Sequence, residues 1–163
     1  MPGVRSTLSK SQLPYSSKWF YLKTPSSADK SFCQNFDLEI WNKDIAVGLT
    51  GAFLCSKHFG FAISQNSNGG SIINISSDLG VIAPDQQLYH KDDLPDEQQT
   101  VKPITYSVVK TGLIGLTLYL ATYWAVKNVR CNALCPGGIY NDQLSEEFLN
   151  NIYQRIPLRR MAL

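Results

Sequence analysis

The run "SIINISS", Ser71 to Ser77, is short, apolar and β-branched, and it is bounded by Gly70 and Asp78. An apolar run of this length without alternation has the pattern of a strand buried on both faces, and such strands belong to parallel sheets. A parallel partner can be reached only by a crossover, most simply through a helix. The chain offers one. A helical pattern runs from Thr105 to about Lys127, and "NVRCNALCPGG" then reads as a second short strand with a turn at its carboxyl end. Upstream, Ile40, Ile45, Leu49, Phe53, Leu54 and Phe61 recur at helical spacing despite Gly48 and Gly51, and "NSNGG" ends that helix. Helix, strand, loop, helix, strand is the order of an α/β domain with a parallel sheet. A last helix is predicted after Ser145 as N-cap, with Glu146 and Glu147 in its first turn.

Around these elements the chain is less regular. Residues 1–35 are rich in Ser, Lys and Pro and read as an irregular tail, which leaves 36–163 as the domain. The stretch "PDQQLYHKDDLPDEQQTVKP" is polar, holds three prolines and reads as a surface loop. The helix from Thr105 is apolar almost all round, which predicts burial on two sides, one against the sheet and one against a second copy of the protein. Leu116 and Leu120 are the positions expected to face that copy.

Composition excludes some partners. A formal charge of +2 and no run of basic residues interleaved with aromatics argue against nucleic acid. The least polar run, "TGLIGLTLYLATYWAV", is shorter than the roughly 20 residues of a membrane span, and no leader-like apolar segment opens the chain, so a cytoplasmic location and no membrane are expected. Cys33, Cys55, Cys131 and Cys135 form no CxxC pair, so reduced structural thiols and no metal site are expected.

Two Tyr/Lys pairs have helical i, i+4 spacing: Tyr106 with Lys110 and Tyr123 with Lys127. Side chains so spaced share one face, and a cation beside a phenol in a partly dry pocket favours phenolate, the condition for a tyrosine that gives and takes protons. With eight Tyr and about ten Lys, roughly half of one such pair is expected by chance. Position separates them. Ligands of open α/β sheets bind beyond the carboxyl ends of the strands, where Ser76, Ser77, Pro136 and Gly137 fall and to which the start of the helix returns. Tyr106 and Lys110 are there, whereas Tyr123 lies about 25 Å further along at 1.5 Å per residue.

"GSIINISS", "YSVVK" and "VRCNALCPGG" together resemble the strand serine, the Tyr-x-x-x-Lys pair and the Asn-x-x-x-Pro-Gly segment of the short-chain dehydrogenase/reductases. The resemblance covers about Phe36 to Leu163. It implies a Rossmann-like sheet and hydride transfer between NAD or NADP and a carbonyl or hydroxyl carbon of a small molecule. By it, Tyr106 matches the proton donor, Lys110 the group that lowers its pKa and binds the nicotinamide ribose, and Ser77 the hydroxyl that holds the substrate oxygen. Pro136, Gly137 and Ile139 match the segment beside the nicotinamide.

The family also places a glycine-rich turn, the helix that seats the pyrophosphate and an Asn-Asn-Ala-Gly strand before these motifs. Here no glycine lies between Gly3 and Gly48. The expectation is a partial Rossmann-like domain without its N-terminal half, binding no cofactor and inactive on its own, with a shifted start or reading frame for residues 1–35 as an alternative. A rival from another class is a non-catalytic fragment that dimerises through helix 105–127. Two departures concern the pocket. The family's relay asparagine falls at Gly48 in "VGLTG", and 29 positions separate Ser77 from Tyr106, about twice the usual number, so the loop from Ile82 to Pro103 looks like an insertion. "VGLTGAFLCSK", "SDLGVIAPDQQLY" and "PITYSVVKTGLIGLT" are similar to the branch associated with bacterial surface and flagellar sugars, which implies a sugar or sugar-nucleotide substrate.

Overall fold

The computed structural model describes residues 32–163, so all but the end of the predicted tail lies outside the described residues. Five elements carry the fold: α1 (Leu38–Ser64), β1 (Gly70–Ile75), α2 (Ile104–Tyr123), β2 (Val129–Leu134) and α3 (Glu146–Arg155). α1 starts where the Asp37 carboxylate accepts from the Glu39 and Ile40 amides, and α3 where the Ser145 hydroxyl accepts from Phe148 N, as its sequence predicts. α1 widens into i→i+5 turns at Ala46–Thr50 and Ser56–Gly60.

β1 and β2 pair in parallel from Gly70↔Val129 to Ile75↔Leu134, with α2 as the crossover. The face that carries Ile72, Val129 and Cys131 packs on Ile63 of α1 and on Leu116, Leu120 and Ala121 of α2, with Trp124 closing the cluster. The opposite face is bare: Ile73 is 62% exposed, Ile75 40% and Leu134 54%. Burial on both faces, expected from the unbroken apolar run, is therefore corrected, because the described residues supply helices to one side only.

α2 ends at Tyr123, earlier than the sequence pattern suggests, and a 3-10 turn over Ala125–Lys127 leads to Asn128 in the left-handed region. Thr105, Val109, Leu113, Thr117 and Leu120 form its buried stripe. Leu120 is a core residue with Leu116 against it, so neither faces outward, and the outer stripe is made by Leu118, Tyr119 and Tyr123 instead. The apolar run read as too short for a membrane span belongs to a 20-residue helix, and α1 and α2 are both long and apolar enough to cross a membrane by length and composition. The length argument against a span is corrected accordingly. α2 nevertheless lies on both strands. All four cysteines are free, with Cys131 buried and Cys135 half-buried.

Most buried polar side chains of this layer are paired, the Ser107 hydroxyl on α2 excepted. Thr105, fully buried, donates to Asp44 Oδ2 at 2.6 Å and joins the start of α2 to α1. Asn74 donates to Thr117 Oγ1 at 2.8 Å, and Thr117 donates to Leu113 O. Thr105→Val keeps the shape but removes a donor from a buried carboxylate, and is expected to cost about 1–3 kcal/mol in urea unfolding, with Thr105→Ser close to the parent.

Candidate active site

Past the strand ends the two segments stay side by side. Ser76 N donates to Leu134 O at 2.8 Å and Asp78 N to Pro136 O at 3.0 Å, while the Ser76 hydroxyl donates to Lys110 O at 2.7 Å. These bonds bring the β1 exit, the first turns of α2 and the β2 exit to one place. Ser77 Oγ donates to Asp78 Oδ1 at 2.8 Å and accepts from Leu79 N. Lys110 Nζ donates to Ile75 O at 3.0 Å and lies 5.7 Å from the centre of the Tyr106 ring. Ser77, Tyr106 and Lys110, with Pro136, Gly137 and Ile139 across from the serines, line one cavity of about 1150 Å³. Every residue singled out in sequence for this site is therefore brought together. Tyr123 is 60% exposed, stacks on Tyr119 and is separated from Lys127 by the end of α2.

Burial pushes the Lys110 ammonium below the usual lysine range. Lys102 is lowered too, by burial first and by the charge of Lys110 last, with Asp78 pulling it back up. Its ammonium lies over the Tyr106 ring, 4.0 Å from the centre. Tyr106 thus has a lysine four positions before it and another four after. Sequence reasoning named only the second, although "KPITYSVVK" shows both.

The predicted surface loop is more ordered than its composition suggests. It contains 3-10 turns at Gln86–Tyr89 and Asp96–Gln98. Gln99, 6% exposed, accepts from Lys91 N and donates to Lys91 O and Leu94 O. The Asp85 carboxylate accepts from Arg155 Nε at 2.6 Å, a bond that holds its pKa down, and the Tyr89 and Phe148 rings meet at 5.6 Å. The loop is thereby tied to α3, and both line the cavity. At the chain end Ile139 bridges to Ala162 in parallel, and Tyr140 N donates to Ala162 O at 2.8 Å.

Gly48 lies at a helix crossing. A Cβ there would stand 2.6 Å from Val109 Cγ1, so an asparagine at this position would force α1 and α2 apart.

Residues 97–163 match the family described as Enoyl-(Acyl carrier protein) reductase. The chain is 38% identical over 119 residues to a short chain dehydrogenase/reductase of Gibberella zeae, covering 72% of this chain and 39% of that protein. It is 32% identical over 125 residues to estradiol 17-beta-dehydrogenase 8 of Callithrix jacchus, with 75% and 81% covered. The crystal structure of a short chain dehydrogenase from Leptospira borgpetersenii with bound NAD+ superposes with a TM-score of 0.69 at 30% identity, over 85% of this chain and 50% of that one. The chain thus spans well under half of the Gibberella protein and half of the Leptospira protein. The α/β fold is Rossmann-like, and by its serine strand, its Tyr-x-x-x-Lys helix and these likenesses the chain belongs to the short-chain dehydrogenase/reductase family.

Proposed function

We propose that these residues form the catalytic side of an NAD(P)(H)-dependent oxidoreductase that moves hydride to or from a carbonyl or hydroxyl carbon. The observation that carries it is the convergence of Ser77, Tyr106 and Lys110 on one cavity wall. When bound, the nicotinamide supplies or accepts the hydride. Its ribose end fits the residues present: Lys110 carries a cation at the wall, and Gly137 presents backbone without a side chain to the cavity, an added Cβ there meeting Asp78 Oδ2 at 3.5 Å. Lys110 and Pro136 to Ile139 would hold that end. Among the described residues no glycine-rich turn opens a helix toward the cavity, so no seat for the pyrophosphate is available from them.

Negative charge builds on the substrate oxygen as the carbonyl carbon is reduced, and donors aimed at that point lower the barrier. Ser77 provides one donor, after its hydroxyl turns from Asp78 to the substrate oxygen. Tyr106 gives that oxygen its proton, and the Lys110 ammonium, held by Ile75 O, balances the phenolate left behind. Oxidation of the alcohol runs the same proton back. With Val109 filling the space beside Gly48, the proton must reach solvent without a side chain from that position.

A sugar or sugar nucleotide is the substrate class this reading favours, supported by the three similar stretches and by a loop that lines the cavity. The partner is a second copy, docked on Leu118, Tyr119 and Tyr123; sedimentation of a stable monomer at high concentration would refute that. A purely structural, dimerising role is the second reading, favoured by the same exposed stripe. Cofactor titration separates the two in a length-complete protein. For the 163 residues alone, Lys110 and the Pro136 turn offer two or three hydrogen bonds of about 1 kcal/mol each, too few to offset the 4 kcal/mol or more that immobilising a dinucleotide costs. The expected calorimetric result is no binding of NADH or NADPH, and a micromolar dissociation constant would overturn it.

A further inference from the structure

Lys102 is a partly buried cation that, among the described residues, forms no ion pair. Among the described residues the ion pairs are His90 with Asp92 and Asp85 with Arg155, and neither includes it. The carboxylate that acts on it most, Asp78, is not paired with it and offsets its burial only in part, its Oδ1 accepting from the Ser77 hydroxyl and the Leu79 amide. The other acids of the cavity, Asp142 and Glu147, come from the segment that leads into α3, and neither is paired with Lys102. An ammonium withdrawn from water without an anion is costly, and such groups persist where a ligand supplies the anion.

The backbone around Lys102 is fixed on both sides. Its own N–H donates to Gln86 Oε1 at 2.8 Å, Gln99 three residues earlier is knotted to Lys91 and Leu94, and Pro103 follows at the N-cap of α2. The ammonium thus lies over the Tyr106 ring at the end of the loop that leads into α2. Lys110, the other cation on that ring, is already committed to Ile75 O.

We infer that Lys102 binds an oxyanion of the substrate, a carboxylate or a phosphate a few bonds from the reacting carbon, and so selects anionic carbonyl compounds. The inference rests on the reading of Tyr106 as the proton donor and narrows its substrate class. A neutral carbonyl compound would leave the lysine unpaired beneath it, whereas an anionic one gains a charge-assisted hydrogen bond. One such bond is worth about a tenfold preference or more.

The test uses the full chain with 13C-labelled lysine and follows the ε-methylene signals of Lys102 and Lys110 by NMR. Four probes are titrated: acetoacetate and dihydroxyacetone phosphate, with methyl acetoacetate and dihydroxyacetone as their neutral counterparts. The expected result is saturable shifts at about tenfold lower concentration for at least one anion than for its neutral counterpart. Which anion does so tells carboxylate from phosphate. Lys102→Met should remove the preference, read on Lys110, and Lys102→Arg should retain it. Equal affinity for anionic and neutral probes in the parent, or a preference that survives Lys102→Met, overturns the inference. Tyr106→Phe should leave the preference intact, so failure of the proton-donor reading shows separately, as turnover of a length-complete form of the protein that survives this substitution.

Discussion

Tyr106→Phe in a length-complete form of the protein is expected to lower turnover by at least about a hundredfold, the scale of a lost general acid, while Tyr123→Phe leaves it within about twofold. The contrast follows from placement. Tyr106 stands on the cavity wall between Lys102 and Lys110, whereas Tyr123 lies on the exposed stripe at the far end of α2. Both changes remove one hydroxyl, so differences in folding are small and steady-state kinetics compare the two directly. Equal losses would mean that the chemistry does not depend on the strand-end cavity.

Gly69→Ala should be the most damaging glycine-to-alanine change among the described residues. Gly69 has φ +68, and a Cβ on it would fall inside the carbonyl oxygen of Asn128. Neither side can yield easily. Gly70 N donates to Asn128 O, Asn128 is itself in the left-handed region at φ 55, and its side-chain amide donates to Asn68 O. The left-handed penalty for a residue with a Cβ is about 1–2 kcal/mol, and a backbone clash adds a similar amount, so a loss of roughly 3 kcal/mol is expected. Urea unfolding would read this as a midpoint lowered by about 1 M or more. Gly115→Ala is the matched control: nothing lies within 4 Å of its Cβ position on α2, and removing a helical glycine should raise stability by about 0.5–1 kcal/mol.

The elements were legible where a local pattern carried them. A β-branched run gave β1, a short segment closed by a Pro-Gly-Gly turn gave β2, helical spacing gave α1 and α2, and Ser145 with two glutamates gave the start of α3. The site was legible because Ser77, Tyr106, Lys110 and Pro136 to Ile139 sit at element ends, where topology decides who meets whom. What escaped depended on neighbours distant in sequence. An unbroken apolar run says that a strand could be covered twice, and only the packed chain shows Ile73 and Ile75 uncovered. The two-sided apolarity of α2 could not tell which side meets the sheet, so Leu116 and Leu120 were assigned to the wrong one. The loop has no period, and its order comes from amide side chains, Gln86 and Gln99, whose bonding no spacing rule encodes. Lys102 carries no helical-spacing signal, because it precedes the helix that holds Tyr106 and Lys110.

The parallel register also sets how this chain must acquire its shape. Asn74 and Cys131 are 57 positions apart in sequence, and Asp44 and Thr105 are 61 apart, yet each pair is in contact. Closing a loop of that length costs roughly 3.5 kcal/mol above the constant part of the closure entropy, before the first contact gives anything back. α2 can flicker into helix within about a microsecond, but it stabilises neither strand until both have arrived beside it. Refolding is therefore governed by a search for partners distant along the chain, in the millisecond-to-second regime of non-local topologies, and the helices precede the sheet they are built to cover.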